Sequence, residues 1–125
     1  MKLTRRKFLY VLGGILTACG TVNREPDFTI VIHRDTFEPS SLVVPAGSLV
    51  AWHNRADSVY TITADLERTQ MPQQVVLSSD GLPFDSGNLF PGERWVHTFD
   101  TPGTYIYISR FHPFEEMFGA VTVTA

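Results

Sequence analysis

Cysteine is almost absent from the sequence, since Cys19 is the only one among 125 residues. No disulfide can therefore form within the chain, although the leader described below predicts export to an oxidising compartment. If Cys19 carries a lipid, the mature domain has no free thiol at all. The fold must then be held by its core alone, which is feasible because about 100 residues can bury roughly two thirds of the surface that the unfolded chain exposes.

Basic residues are scarce outside the N-terminus. All thirteen acidic residues follow position 24, whereas four of the ten basic residues lie in the first seven positions: Lys2, Arg5, Arg6 and Lys7. Without residues 1–18 the chain keeps six arginines, no lysine and thirteen acids, a formal charge of −7. A domain this acidic is not expected to bind nucleic acid. It would suit a basic partner surface, or the charge serves solubility alone.

Catalytic signatures are also missing. The sequence contains no second thiol, no G-x-S-x-G motif and no phosphate-binding glycine loop. Asp85-Ser86-Gly87 is turn chemistry with no histidine near it in sequence. No enzyme activity is predicted. Sustained helical periodicity is absent as well, and the 43% hydrophobic and 12% aromatic composition indicates one folded domain rather than a disordered chain.

The first 18 residues have the features of an export signal. The run MKLTRRKFLYVLGGILTACG begins with basic residues and continues into an apolar stretch from Phe8 to Ala18, which is too short for a comfortable transmembrane helix. Arg5 and Arg6, ahead of that stretch, resemble the twin-arginine export signal. We expect residues 1–18 to be a signal peptide that is removed.

The end of this leader resembles the lipobox of bacterial lipoproteins, in the run Leu16-Thr17-Ala18-Cys19. The resemblance implies cleavage before Cys19 and attachment of a diacylglycerol to its thiol; the alternative is an ordinary signal with a chance cysteine. Acyl chains would hold the protein at a membrane surface. Residues 19–26 would then form a lipidated tether and residues 27–125 the folded domain. The predicted location is the outer face of the cytoplasmic membrane or the periplasm.

Strand signals recur at short intervals after Asp27. Apolar or alternating runs are separated by turn residues such as Pro91-Gly92 and Pro102-Gly103. The predicted strands lie within residues 28–33, 41–54 (two runs around Pro45-Ala46-Gly47), 58–63, 74–79, 93–100, 104–109 and 118–124. Seven or eight short strands with regular turns predict an all-β sandwich.

Three longer runs resemble the plastocyanin, halocyanin and amicyanin group of cupredoxins: FEPSSLVVPAGSLVAWHN, FDSGNLFPGERWVHTFDTPGTYIY and HPFEEMFGAVTV. The likeness covers Phe28 to Val123, nearly the whole mature chain. It implies a cupredoxin-like Greek-key β-sandwich. It also implies a copper ion held by two histidines, a cysteine thiolate and a weak axial methionine.

The resemblance assigns the four ligand positions, and two of them carry other residues. In the loop SRFHPFEEM, His112 and Met117 match the second histidine and the axial methionine, while Ser109 stands at the cysteine position. Tyr60 stands at the position of the first histidine, a few residues after Asn54. The resemblance therefore implies a degenerate copper site in which the thiolate is replaced.

These substitutions change the chemistry of the site. A serine hydroxyl is a hard donor that is hardly ionised near neutral pH, so Ser109 cannot supply the copper–sulfur bond of a blue site. The Tyr60 phenol, with an ordinary pKa of about 10, would be mostly neutral. His112 and Met117 remain as a two-ligand stub that could hold Cu(I) weakly. The predicted cofactor is therefore none, with copper as the metal if any is bound.

A displaced metal site is a further hypothesis. His33, His53 and His97 could form one, but their spacings of 20 and 44 residues match no local metal motif. His97 also shares a strand face with Trp95 and Phe99, which favours a packed side chain. A second possibility joins Tyr60 to the loop carboxylates Glu115 and Glu116 as oxygen ligands for a harder metal. For the two glutamates we favour a solvated loop tip.

The main functional hypothesis is a cupredoxin-fold lipoprotein that has lost the type 1 copper site and works as a binding or accessory module. Its partners would be the membrane, through the lipid on Cys19, and a redox or respiratory protein. A second hypothesis keeps copper for electron transfer or copper handling through His112 and Met117. A third makes the chain a subunit of a larger oxidase assembly whose partner supplies the missing ligands.

An apolar loop is the predicted partner surface. Contiguous exposed aromatic residues usually mark a contact surface, although the same residues could instead cap the end of the sandwich. The residues that keep this loop apolar are Phe111, Pro113, Phe114, Met117 and Phe118.

We expect Cys19→Ser to abolish incorporation of labelled fatty acid and to release the protein from membranes, because this thiol is the predicted lipid attachment point. Metabolic labelling and fractionation with a high-salt wash measure the two effects. Thr21→Ser, in the same tether, is the matched control and should remain labelled and membrane-bound. If Cys19→Ser still incorporates fatty acid, or stays on membranes through the salt wash, the lipobox interpretation is wrong.

Overall fold

The computed structural model describes residues 24–65, 67, 75–77, 81–111 and 117–125, and these fold into two packed β-sheets. Nine strands form in this part of the chain: β1 (Phe28–His33), β2 (Thr36–Glu38), β3 (Ser41–Pro45), β4 (Ser48–Asn54), β5 (Thr63–Ala64), β6 (Phe84–Asp85), β7 (Arg94–Phe99), β8 (Gly103–Ile108) and β9 (Phe118–Thr124). The strand count exceeds the predicted seven or eight, because strands of two or three residues are too short to show alternation in sequence.

One sheet has the strand order β3-β9-β8-β5-β6, and the other has the order β2-β1-β4-β7. Neighbouring strands pair antiparallel, except that β1 lies parallel to β4 and β3 lies parallel to β9. The two parallel pairs connect strands that are not adjacent along the chain, so the chain crosses between sheets. The predicted two-sheet, all-β sandwich is confirmed.

Trp52 lies at the centre of the core between the sheets. Its ring centroid is 5.4 Å from that of Trp95 and 5.5 Å from that of Tyr107. The Tyr107 ring fits only because residue 119 is glycine, since a Cβ at Gly119 would lie 2.2 Å from the Tyr107 hydroxyl oxygen. Burial raises the pKa of this hydroxyl well above its ordinary value and keeps it neutral. Close aromatic packing thus supplies the cohesion that a disulfide would otherwise add.

The sandwich has two ends of different character. At the turn end, residues 46–47 join β3 to β4, and the N–H of Gly47 donates to the Phe99 carbonyl over 2.7 Å. Gly47 has a φ of +91°, in the left-handed region that favours glycine. At the loop end, β4 stops at Asn54, β8 stops at Ile108 and β9 begins at Phe118. Three of the four residues that the resemblance assigns as ligand positions, Tyr60, Ser109 and Met117, belong to the loop end.

Residues 58–63 do not form the continuous strand that the alternation predicts. Tyr60 makes a single bridge with Leu89, and regular pairing begins only at Thr63. Between them, the N–H of Thr61 donates to the side chain of Ser109. The ladder is interrupted because this N–H bonds a side chain instead of a neighbouring strand.

The predicted strand at 74–79 lies partly outside the described residues. Within 75–77, Val76 makes an isolated bridge with Ile106 of β8, and no longer pairing is seen in that stretch. Across the described ranges, no helix is long and apolar enough to cross a membrane.

Candidate functional site

Asn54, the last residue of β4, organises the loop end. Its buried amide nitrogen donates to the carbonyls of Ser58 and Leu89, both over 2.9 Å, and its side-chain oxygen accepts from the N–H of Ala56 over 2.9 Å. One side chain thereby fixes the turn after β4 and ties it to the segment around Leu89. The next residues along the chain deliver Tyr60 to the same place.

Tyr60 is buried, with only 1% of its surface exposed. Its hydroxyl accepts a hydrogen bond from the backbone N–H of Asp35 over 3.2 Å and lies 3.5 Å from the Asp35 carboxylate. Burial raises the pKa of the Tyr60 hydroxyl, the Asp35 N–H opposes that rise, and the Asp35 carboxylate adds to it. The side chain is therefore a neutral phenol that ties the turn at residues 34–35 to the loop end.

Ser109, the residue after β8, is fully buried. Its Oγ accepts a hydrogen bond from the N–H of Thr61 over 3.1 Å. Because Thr61 directly follows Tyr60, the structure brings together the two segments that carry the predicted substituted positions. The hydroxyl is held as an acceptor by the backbone, which is an ordinary role for a buried serine.

Met117 is also buried and directly precedes β9. The first residue of β9, Phe118, pairs with Ile108, the residue before Ser109. This register brings Met117 to the same end of the sandwich as Ser109. Met117 also lines an open cleft of about 380 Å³, together with Phe118 and residues of the β2 hairpin. His112, predicted as the remaining histidine ligand, lies outside the described residues, as do Glu115 and Glu116.

A chain of hydroxyl groups leads away from Ser109. The N–H of Arg110 donates to Thr61 Oγ1 over 2.8 Å, Thr61 and Thr63 hydroxyl oxygens are 2.9 Å apart, and Thr63 Oγ1 donates to Asp85 Oδ1 over 2.7 Å. Since Thr63 donates to the carboxylate, its oxygen must accept the proton of Thr61. The guanidinium of Arg110 lies 3.5 Å from the other Asp85 oxygen. Arg110 therefore contacts both ends of this chain, Thr61 through its backbone N–H and Asp85 through its side chain.

Sequence reasoning missed this hydroxyl chain. The alternation of residues 58–63 predicts a strand that contains Thr61 and Thr63, whereas the sequence around Asp85 indicates only a turn. Nothing in the sequence indicates that these residues meet, because they are brought together by the pairing of β5 with β6.

Three phenylalanines are half-exposed at the loop end. Phe111 is 52% exposed and Phe118 is 50% exposed, as suits the predicted partner surface. Phe90, beside the Leu89 bridge, is 51% exposed and was not predicted. Met117, which the sequence also places in this apolar loop, is buried and packs in the core instead of contributing to an exposed surface. Pro113 and Phe114, the other two predicted members, lie outside the described residues.

The other histidines have separate roles. His33 Nε2 lies 3.1 Å from the Glu38 carboxylate at the surface. His97 stacks on Trp95 at 5.4 Å and contacts Phe84 at 4.7 Å, and burial lowers its pKa while Asp100 opposes that effect. The prediction of a packed His97 is confirmed. Among the residues with described positions, no three histidine, cysteine or acidic side chains gather as metal ligands.

Comparisons with known proteins agree with the resemblance in the sequence. The family described as "Copper binding proteins, plastocyanin/azurin family" matches residues 29–124. Plastocyanin from Scenedesmus fuscus is 33% identical over 101 residues, which cover 78% of this chain and 99% of that protein. Chloroplastic plastocyanin from Tetradesmus obliquus is 34% identical over 87 residues, which cover 70% of this chain and 57% of the relative.

A solved structure supports the same fold. The purple cupredoxin from Nitrosopumilus maritimus is 28% identical, with a TM-score of 0.59, over 78% of this chain and all of that one. The predicted cupredoxin-like Greek-key sandwich is confirmed.

We expect Ser109→Ala to lower the free energy of unfolding by about 1–3 kcal/mol, because it leaves the buried N–H of Thr61 without its acceptor. Urea unfolding followed by circular dichroism measures the change, with an unchanged m-value as evidence for an intact fold. Ser40→Ala, at an exposed position, is the matched control and should change stability by less than about 0.5 kcal/mol. Equal stability of Ser109→Ala and the wild type would contradict this role.

Proposed function

The chain belongs to the plastocyanin/azurin family of copper-binding proteins, and we propose that it is an exported, lipid-anchored member that has lost the type 1 copper site. It would act as a binding or accessory module at the outer face of a membrane. The observation that carries the proposal is the buried Ser109 hydroxyl, bonded by the N–H of Thr61 at the position that the family resemblance gives to the thiolate.

The donor atoms at this end do not fit a type 1 centre. Such a centre needs a soft thiolate and two imidazoles, with a thioether as a weak fourth ligand. Ser109 and Tyr60 instead supply hydroxyl oxygens, and each oxygen already accepts a backbone hydrogen bond. Neutral hydroxyls are poor ligands for copper. His112 and Met117 are the two residues that match family ligands, and Met117 is the one that the structure describes. A single thioether binds copper only weakly.

Tyr60 also supports a role without metal. Its ring is buried and its hydroxyl accepts from the N–H of Asp35, so the phenol links the loop end to the turn at residues 34–35 without a metal ion. The Ser109–Thr61 bond and the hydroxyl chain to Asp85 add further links across the same region. Together these hydrogen bonds support a loop end that is held by the protein alone.

The export and anchoring part of the proposal is supported by the leader sequence. Arg5 and Arg6 precede the apolar stretch, and Cys19 ends a lipobox-like run. Membership of a family whose proteins work with redox partner proteins is consistent with export of this chain. The lipid on Cys19 would concentrate the domain near membrane-bound partners.

The partner surface would be the loop end itself. Phe90, Phe111 and Phe118 are each about half-exposed there. Exposed aromatic residues of this kind are enriched in protein–protein contact surfaces, because they bury a large apolar area with little loss of side-chain freedom. We propose that they contact a redox or respiratory protein.

A second candidate function keeps copper. The burial of Met117 near Ser109 favours it, since a thioether is retained where the family has its axial ligand. Together with His112 it could bind Cu(I), which tolerates two ligands, and so serve copper handling or electron transfer. This candidate predicts copper bound without a blue colour.

We expect the mature domain, from Gly20 to Ala125, to show no intense thiolate-to-copper absorption after addition of Cu(II), because no thiolate follows Cys19. Visible spectroscopy and metal analysis after desalting measure colour and stoichiometry. His112→Ala separates the two candidates: it should change nothing in the metal-free protein and should lower copper retention in a copper handler. A blue or purple wild-type domain would refute the loss of the site.

We expect the double variant Tyr60→His with Ser109→Cys to bind copper and become coloured, and each single variant to do so poorly. Only the double variant places two imidazoles, a thiolate and a thioether at the assigned positions. Ser109→Cys is nearly isosteric, whereas Tyr60→His loses ring contacts and the Asp35 hydrogen bond, at a cost of about 1–2 kcal/mol. Copper binding to the folded state would offset that loss by mass action.

Absorption spectra and thermal unfolding with and without copper measure these effects. The single variants are the matched controls. A colourless, copper-free double variant with an intact β-type circular dichroism spectrum would mean that Tyr60 or Ser109 does not occupy a former ligand position.

A further inference from the structure

The N-terminal edge of the domain is fastened to the turn end of the sandwich. The guanidinium of Arg24 bonds the carboxylate of Asp27 and donates to the Gly47 carbonyl over 3.2 Å. Asp27 is held by two hydrogen bonds with Leu49. The backbone N–H of Asp27 donates to the Leu49 carbonyl, and the Asp27 carboxylate accepts from the Leu49 N–H, both over 2.8 Å. We call this set of contacts, centred on Arg24 and Asp27, the tether clamp.

The tether clamp and the loop end lie at opposite ends of the same strands. β4 runs from Ser48, beside the clamp, to Asn54 at the loop end. β9 runs the other way, from Phe118 at the loop end to Thr124, whose carbonyl accepts from the turn at Ala46. Seven residues of strand span about 23 Å. The clamp is therefore about that far from the loop end, which carries the three half-exposed phenylalanines.

The number of residues between Cys19 and the clamp sets an upper limit on the reach of the tether. Four residues, 20–23, separate Cys19 from Arg24. Five Cα–Cα steps span at most about 17 Å when fully extended. Bringing the loop end down to the membrane would require the clamped end to stand about 23 Å above it. A tether of this length does not reach that far while the clamp is closed.

We infer that the tether clamp holds the loop end away from the membrane, so that Phe90, Phe111 and Phe118 are presented to a protein in the aqueous compartment and not to lipid headgroups. The inference rests on the lipid anchor at Cys19 that is part of the proposed function. The rival occupant of this aromatic surface is the bilayer itself, because exposed phenylalanines also insert into membrane interfaces. Tether length and clamp position decide against the bilayer.

The clamp is the adjustable element of this arrangement. Opening the Arg24 contacts releases residues 24–26 and lengthens the tether to about 27 Å, since Asp27 stays bound to Leu49. That length exceeds the span of the domain. Loss of Arg24 should therefore allow the loop end to approach the membrane, without a change in the fold.

The test uses the full lipidated protein in lipid vesicles that carry an acceptor dye. A donor dye is attached to a single introduced cysteine, at Ser58→Cys near the loop end or at Thr98→Cys near the turn end, both exposed positions. Energy transfer to the membrane should be several-fold weaker from position 58 than from position 98. Adding Arg24→Ala should raise transfer from position 58 and bring the ratio toward one.

Two controls separate the parts of the inference. Insertion of Gly-Ser-Gly-Ser after Asn23 lengthens the tether and keeps the clamp, so it should reproduce the effect of Arg24→Ala. Trypsin cleavage after Arg24 in the lipid-free domain should be several-fold faster in Asp27→Asn than in the wild type, because the clamp holds the guanidinium that trypsin must bind.

Each contrary outcome has a distinct meaning. Equal transfer from positions 58 and 98 in vesicle-bound protein would overturn the orientation. Unchanged transfer in Arg24→Ala, or equal trypsin cleavage of both forms, would overturn the role of the clamp. Failure of the protein to stay with vesicles after a high-salt wash would overturn the lipid anchor, and hence the proposed function on which the inference rests.

Discussion

The buried amide of Asn54 is the constraint on which the loop end depends. It bonds Ser58, Ala56 and Leu89 at once, so that the turn after β4 and the segment before β7 cannot move independently. A buried amide with all these groups satisfied stabilises a single loop arrangement, because each lost bond would leave a polar group unpaired in a dry environment. The Asn54 bonds thereby fix the loop that carries Tyr60 and its bridge with Leu89.

Side-chain hydroxyls link the described segments of the loop end. Thr61 contributes twice, with its N–H to Ser109 and its hydroxyl to Thr63, and Asp85 ends the chain as the acceptor. Tyr60 adds a link to Asp35 from the other side. Of these hydrogen bonds, the one between Thr61 and Ser109 joins two segments that carry assigned ligand positions, and it needs no cofactor.

The two ends of the sandwich have different proposed roles, attachment at the turn end and partner contact at the loop end. The turn end fastens the chain through Arg24 and Asp27 to the turn at Gly47 and to Leu49, at the point where the predicted tether would join the domain. The loop end carries the half-exposed phenylalanines. The exposed Arg24–Asp27 ion pair is weak on its own, so the proposed orientation would depend on a short tether as much as on the clamp.

The fold class, the family and the absence of a thiolate after Cys19 can all be read from the amino-acid sequence. Alternation is local, so β1, β4 and β9 could be predicted from residues near in sequence, and a missing cysteine needs no structure to be noticed. The roles of Tyr60 and Ser109 as substituted ligand positions remain predictions from the resemblance. The tertiary structure decided how Tyr60 and Ser109 are held: the phenol reaches Asp35, 25 residues away, and Ser109 accepts from Thr61, 48 residues away. It also revealed Phe90 and the Asp85 chain. Such contacts depend on strand pairing between distant segments, which local sequence pattern does not encode.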